Sequence, residues 1–274
     1  MKIHKISFEN FPKEVVYPTV LAEADNFIIK LAETKEELEK TLKLRYTVFN
    51  IEQGKGLQQS ENTGLDIDIY DEHCLQIIVV NKETNNPVAT YRAHLGLIAT
   101  SAKGFYASNE YNLTGIDKIA SNSIEVGRSC VLPEYRTGTA VSLLWTGLGI
   151  ITARSKLQYL FGCVSMENNS PAISWALYEH FKNNDKISKI ITATPHVGYD
   201  LEPSSQDEID RYLVNIRQTI KDQVPPLFKG YLRLGTKICG PPIYDSEFGT
   251  IDFLILVDIF AMPERYARHF IKLS

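Results

Sequence analysis

Arg45 lies at helical spacing from Leu38, Leu42 and Phe49, which puts a guanidinium in the middle of an apolar stripe. Such a charge is costly to bury unless carboxylates meet it. Asp66, Asp68 and Asp71 follow at spacings of two and three. They suit a structural ion cluster, and they could equally hold a cationic substrate. The run Ile124-Glu125-Val126-Gly127-Arg128-Ser129-Cys130-Val131 places a carboxylate and a guanidinium in an otherwise apolar strand. In a regular strand Glu125 and Arg128 would face opposite ways, but a β-bulge at Gly127 would bring both to one side. Glu125 could then act as a general base toward an amine, with Arg128 orienting it or pairing with the acidic run. A buried structural salt bridge fits the same residues.

The next stretch, Pro133-Glu134-Tyr135-Arg136-Thr137-Gly138-Thr139-Ala140, leads from that strand into a helix expected over Val141 to Arg154. A glycine-containing turn at a helix N-terminus offers free N–H groups and a positive dipole end to a phosphate, and Arg136 adds charge. Many strand-to-helix turns contain glycine and bind nothing, so this one gains weight from following the Glu125 strand. His180 and Asp185 show the H-x-x-x-x-D spacing of glycerolipid acyltransferases, but no glycine-rich phosphate motif follows. His180 is read as a partly buried helix residue. Cys74, Cys130, Cys163 and Cys239 form no C-x-x-C pair and no zinc-type Cys/His spacing, so neither a zinc site nor a disulfide framework is expected. Cys130 is read as a buried structural thiol.

These groups need a scaffold. Phe27 to Ala32 predicts a strand, and a capping box of Thr34 with Glu37 predicts the start of the helix that carries Arg45. Leu75 to Val80 and Val88 to His94 read as a hairpin across the polar turn 81–87. Ile124 to Leu132 and Tyr159 to Val164 read as further strands. Ser170 and Pro171 open another helix. A second capping box, Ser205 with Glu208, opens one burying Ile209, Tyr212, Leu213 and Ile216. A Gly/Pro-rich segment then leads to a strand over Asp252 to Phe260. Strands alternating with helices, without repeats or a linker, point to one α/β (α+β) domain over 1–274, with a core of about 27–200 and an elaboration over about 201–274.

Composition narrows the class. With 274 residues, 44% hydrophobic and 23% charged, the chain can build a large core and is not disordered. Its longest apolar stretches fall short of the roughly 18 residues of a membrane span, and no secretory signal is expected at the start. The net charge of −4 divides into −4 for 1–119, +2 for 120–199 and −2 for 200–274, which is not a nucleic-acid footprint.

The three constellations together resemble the acyl carrier protein-dependent branch of the GNAT fold, and most nearly the N-acyltransferases of amino-acid lipid synthesis typified by ornithine N-acyltransferase. The resemblance runs from about residue 27 to 270. It rests on Arg45-Tyr46-Thr47-Val48-Phe49, Asp66-x-Asp68-x-x-Asp71, Ala89-Thr90-Tyr91-Arg92, Glu125 to Val131, Tyr135-Arg136-Thr137-Gly138, Leu143-Leu144-Trp145-x-Gly147-Leu148, Leu160-Phe161-Gly162-Cys163, Pro225 to Gly235 and Arg265-Tyr266-x-Arg268-His269-Phe270. Acyl-homoserine lactone synthases share Arg45, Phe49, the acidic run, Arg92, Glu125 and Arg128 more distantly.

The resemblance implies a GNAT fold, with a mixed, mostly antiparallel sheet flanked by helices. It implies N-acylation of an amino acid, ornithine or glycine, by a fatty or 3-hydroxy fatty acyl thioester. Glu125 and Arg128 would be catalytic. Arg45, Phe49, Asp66, Asp68, Asp71 and Arg92 would bind the acceptor, or the arginines would lock the acidic run. Cys130, Val131, Arg136, Thr137, Gly138, Thr139 and Ala140 would take the acyl-phosphopantetheine arm, with no bound cofactor and no metal.

One departure bears on the donor: the general GNAT loop would place its cation at Tyr135, whereas Arg136 comes one residue later. That favours the single phosphate of acyl carrier protein over acyl-CoA. The expected setting is cytoplasmic, peripheral at the inner membrane, with a partner O-acyltransferase. The alternatives are a lactone-forming signal synthase and a non-catalytic acyl-carrier or acyl-lipid binding module.

Overall fold

A computed structural model describes residues 17–136, 138–166 and 170–266. In chain order the elements are β1 (Val20–Ala24), β2 (Phe27–Leu31), α1 (Lys35–Tyr46), β3 (Leu75–Asn81), β4 (Asn86–Leu95), α2 (Gly96–Ser101), β5 (Tyr111–Thr114), β6 (Ser123–Val131) and α3 (Thr139–Ser155). They continue with β7 (Tyr159–Ser165), α4 (Pro171–Asn183), β8 (Thr192–Pro195), α5 (Gln206–Val214), α6 (Ile216–Gln223), α7 (Pro226–Arg233), β9 (Lys237–Ile238), β10 (Ile243–Asp245) and β11 (Thr250–Asp258). The described residues divide into two compact units, one formed by 17–105 with 121–158, the other by 106–120 with 159–266.

In the first unit, β1, β2, β3, β4 and β6 pair antiparallel in that order. α1 starts at the expected capping box: Thr34 Oγ1 accepts from the Glu37 N–H at 3.1 Å, and Glu37 Oε2 accepts from the Thr34 N–H at 3.3 Å. The helix then passes into a π-helical turn over Thr47–Glu52. α3 packs on one face of the sheet. Its Gly147 lets the helix come close, since a Cβ there would lie 2.4 Å from Ile29 Cδ1 and 3.1 Å from Ile77 Cγ2. Buried Leu144, Leu148 and Ile151 line the helix around it, each worth roughly 1.5–3 kcal/mol in apolar burial. Gln76 and Arg92, neighbours of Ile77 and Tyr91, point to the other face by strand alternation.

In the second unit, β7, β11 and β10 pair antiparallel, and β9 also pairs with β11. β5 and β8 form a separate two-stranded sheet. Phe181, Phe228 and Phe253 meet here at ring-centroid distances of 5.6 to 6.3 Å. The Pro225 to Gly235 motif forms α7, which buries Phe228 and Tyr231. Two details differ from the sequence reading. Asn215 interrupts the helix begun at Ser205, so Ile216 opens α6, and of the four residues expected to be buried only Ile209 is fully so. β11 ends at Asp258, leaving Phe260 74% exposed on a 3-10 turn.

Candidate active site

β4 and β6 set the geometry. Thr90 pairs with Cys130 and Arg92 with Gly127, so two residues of β6, Arg128 and Ser129, oppose the single Tyr91. This is a β-bulge, one residue later than Gly127, and Arg128 takes the left-handed φ of +52°. That conformation costs a side-chain-bearing residue roughly 1–2 kcal/mol. The guanidinium offsets it through Nε to Asp66 Oδ1 at 3.3 Å and Nη2 to Asp68 Oδ2 at 3.1 Å. Beyond the bulge the register is regular, and Glu125 stands opposite His94. Gly127 itself has an open side, with nothing within 4 Å of where a Cβ would be.

The other arginines close the same lock. Arg45 is fully buried on α1 and donates from Nε to Asp66 Oδ1 at 2.7 Å and from Nη1 to Asp71 Oδ1 at 2.6 Å; its Nη2 also meets Asp66. Arg92 Nη1 donates to both Asp68 oxygens at 2.7 and 2.8 Å, and to Asp71 Oδ1 at 3.2 Å. Gln76 Nε2 donates to Asp71 Oδ1 at 2.9 Å. The acidic run is further fixed by its own turns, where the Asp68 N–H reaches Asp71 and the Tyr70 N–H reaches Asp68. Burial by itself would raise the Asp71 carboxyl; Arg45 and Arg92 overcome it and hold the group well below the usual carboxylate range. Asp68 is lowered in the same way, against burial, by Arg92, Arg128 and Arg45. Three guanidiniums thus meet three aspartates, and Glu125 stands on the same face of the sheet.

The remaining expected residues fall close by. Phe49 packs on the buried cluster of Leu44, Val48 and Cys130. Burial pushes the Cys130 thiol up to about 12, which keeps it a thiol at neutral pH. Gly138 caps α3 with φ +80°, and among the described residues no side chain caps that helix end. The Thr139 hydroxyl donates to Asp25 at 2.7 Å, and Ala140 is buried. Arg136 is already engaged: Nη2 donates to Glu52 at 2.6 Å and Nε to the Val131 carbonyl at 3.1 Å. Val131 ends β6, and Thr137 lies outside the described residues. His180 sits against Asn184, while Asp185 pairs with Lys189, so the H-x-x-x-x-D spacing forms no dyad here.

Sequence reasoning missed His94, although the signal was present. Arg92 and His94 are two apart in a strand and must share a face. His94 is 2% exposed, with its Nδ1 3.9 Å from Glu125 Oε2. Its ring lies edge-on between those of Tyr70 and Phe105, at centroid distances of 6.2 and 6.3 Å.

The acetyltransferase (GNAT) domain family model matches residues 44–146, the span that holds this lock. The chain is 30% identical over 271 residues to the L-ornithine Nα-acyltransferase of Rhizobium meliloti (strain 1021), covering 92% of this chain and 86% of the relative. This chain belongs to the same family. The Brucella abortus (strain 2308) L-ornithine Nα-acyltransferase is 29% identical over 92% of this chain and 91% of its own length. Among solved structures, the AHL synthase LasI aligns over 86% of this chain and 91% of its own, with a TM-score of 0.46 and 10% identity. As a member of this family with a GNAT domain, the chain is an N-acyltransferase, and the fold is the mixed, largely antiparallel sheet expected from the sequence.

Proposed function

We propose that the protein moves a fatty or 3-hydroxy fatty acyl group from the phosphopantetheine thioester of acyl carrier protein to the α-amine of ornithine, giving a lyso amino-acid lipid. The observation that carries this reading is the buried Glu125 carboxylate on the same strand face as the open side of Gly127. The names of the relatives support ornithine as acceptor.

The acceptor arrives as an ammonium, because an α-amine has a pKa near 7.7–8.0 or above. Glu125 takes a proton, the nitrogen lone pair attacks the thioester carbon, and backbone N–H groups near Cys130 and Val131 stabilise the oxyanion. The C–S bond breaks and the thiolate leaves. No enzyme thioester is needed, and a Cys130 thiol of pKa about 12 is a poor nucleophile. The N–H groups of the first turn of α3, behind Gly138, would hold the phosphopantetheine phosphate. With Arg136 paired to Glu52, that turn suits one phosphate better than a pyrophosphate, which favours the carrier protein over acyl-CoA. Arg45, Arg92 and Arg128 act as the lock on the acidic run.

One observation favours a second reading. All three aspartates are engaged by arginines, and of their oxygens only Asp66 Oδ2 makes no hydrogen bond among the described residues, so glycine becomes an acceptor to test beside ornithine. Mass spectrometry of products from the purified protein, with 3-hydroxyacyl carrier protein or acyl-CoA against ornithine, glycine and lysine, separates the cases. Nα-acyl ornithine made from the carrier protein is expected. A lactone would instead support a signal synthase, and absence of product from every pair a binding module.

A further inference from the structure

Amide formation from an ammonium sheds two protons: the nitrogen enters as NH3+ and ends as one amide N–H. One carboxylate can hold only one of them. The sulfur finally receives one proton and solvent the other, but both must first leave the nitrogen while the site is closed around it. A second acceptor beside Glu125 would meet that need. His94 is placed for it.

Both ring nitrogens of His94 are buried and, among the described residues, make no hydrogen bond. Leaving such groups unsatisfied is expensive unless something else fills the position. The 3.9 Å between Nδ1 and Glu125 Oε2 is too long for a direct bond. It is nonetheless the separation of two groups that share one bridging atom: a nitrogen about 2.8 Å from each would see them roughly 90° apart. The ring is held edge-on by Tyr70 and Phe105, so its orientation is fixed before any ligand arrives. Gln76 Oε1 is likewise buried without a hydrogen bond. Gln76 pairs with Arg92, two residues from His94, so unsatisfied acceptors gather on the face that carries Glu125.

We propose that His94 and Glu125 receive the acceptor's amine between them, Glu125 taking the proton lost before attack and neutral His94 the one lost after it. The lone pair of the nitrogen forms the N–C bond and the C–S pair leaves with sulfur. The second N–H proton passes to the imidazole, and the thiolate and solvent together take up the two protons when the site opens. This rests on the reading of Glu125 as the base. Among the described residues, the charged and titratable groups about this pair include Glu125 from β6, Tyr70 from the acidic run, the buried Cys74 thiol in electrostatic reach of Glu125 and Arg92, and Arg92 on β4 itself, the last tied to Asp68 and Asp71.

The test is His94→Phe, which keeps a ring between Tyr70 and Phe105, beside His94→Gln, assayed with ornithine and acyl carrier protein thioester from pH 7 to 9.5. At pH 7 kcat should fall roughly 100-fold in both variants, with KM for each substrate within about threefold of wild type. The defect should shrink as pH rises, because an amine that arrives neutral has a single proton to lose and Glu125 suffices. A structural role would give a loss independent of pH. Wild-type kcat in either folded variant, or a defect constant across that range, overturns the inference; should the phenylalanine variant not fold, the glutamine variant decides. If wild type itself acylates no amino acid, it is the proposed function that fails.

Discussion

At the residue scale the site buries its guanidiniums by meeting each of them with aspartates. Arg45 is fully buried and is tolerated because Asp66 and Asp71 meet it from one short run. Replacing Asp71 by Asn should cost about 3 kcal/mol or more, since Arg45 and Arg92 then share a neutral partner; denaturant titration measures it. The same group governs acid stability. Asp68 and Asp71 are both lowered in the folded state, so between their folded and unfolded values the unfolded chain binds more protons. Their contribution is complete above the unfolded value of about 3.9 and is lost as pH falls further. The urea midpoint should therefore drop between pH 5 and pH 3 in wild type and less steeply in Asp71→Asn; equal slopes would contradict the assignment.

At the scale of elements, most of the scaffold was legible. Capping boxes marked α1 and α5, apolar runs on either side of a polar turn marked β3 and β4, and the pair Ser170 and Pro171 marked α4, because each is a local signal with a local cause. What stayed hidden was set by tertiary partners. The extra residue of the bulge falls on Arg128 and not on Gly127, because the guanidinium anchored by Asp66 and Asp68 offsets a backbone strain that glycine would not have felt. β1 and the two-stranded β5–β8 sheet gave no strong pattern, being four or five residues long and held by their pairing. His94 was legible as a strand residue but not as a neighbour of Glu125, which depends on β4–β6 register. The donor turn offers a check at this scale. Gly138 combines φ +80° with ψ −122° and has open space around it, so Gly138→Ala adds backbone strain without a clash. About 1–3 kcal/mol of strain at the helix entry should raise KM for the acyl donor about tenfold and leave KM for ornithine unchanged; equal effects on both would remove the phosphate role from this turn.

At the scale of the whole molecule, the modest net charge conceals a basic stretch over 120–199 that includes Arg136, Arg154 and Lys156. An acidic carrier protein would be steered by such a surface. Reversing Arg154 and Lys156 to Glu should slow turnover with acyl carrier protein by about tenfold at low salt, and less at high salt. A salt-independent effect would argue against a carrier-protein surface there. Among the described residues no helix is long and apolar enough to cross a membrane, while the proposed product is an amphiphile. A reaction that adds a second acyl chain to its free hydroxyl would consume it at the bilayer, which is where we place the peripheral contact and the O-acyltransferase partner of this proposal. The central claim is that Glu125 drives N-acylation from an otherwise neutral, locked cluster. Its most direct test is the steady-state rate of Glu125→Gln with ornithine and 3-hydroxyacyl carrier protein, read beside the melting temperature. The account predicts kcat lower by roughly 100- to 10,000-fold with melting within a few degrees of wild type; undiminished Nα-acyl ornithine from the folded variant would contradict it.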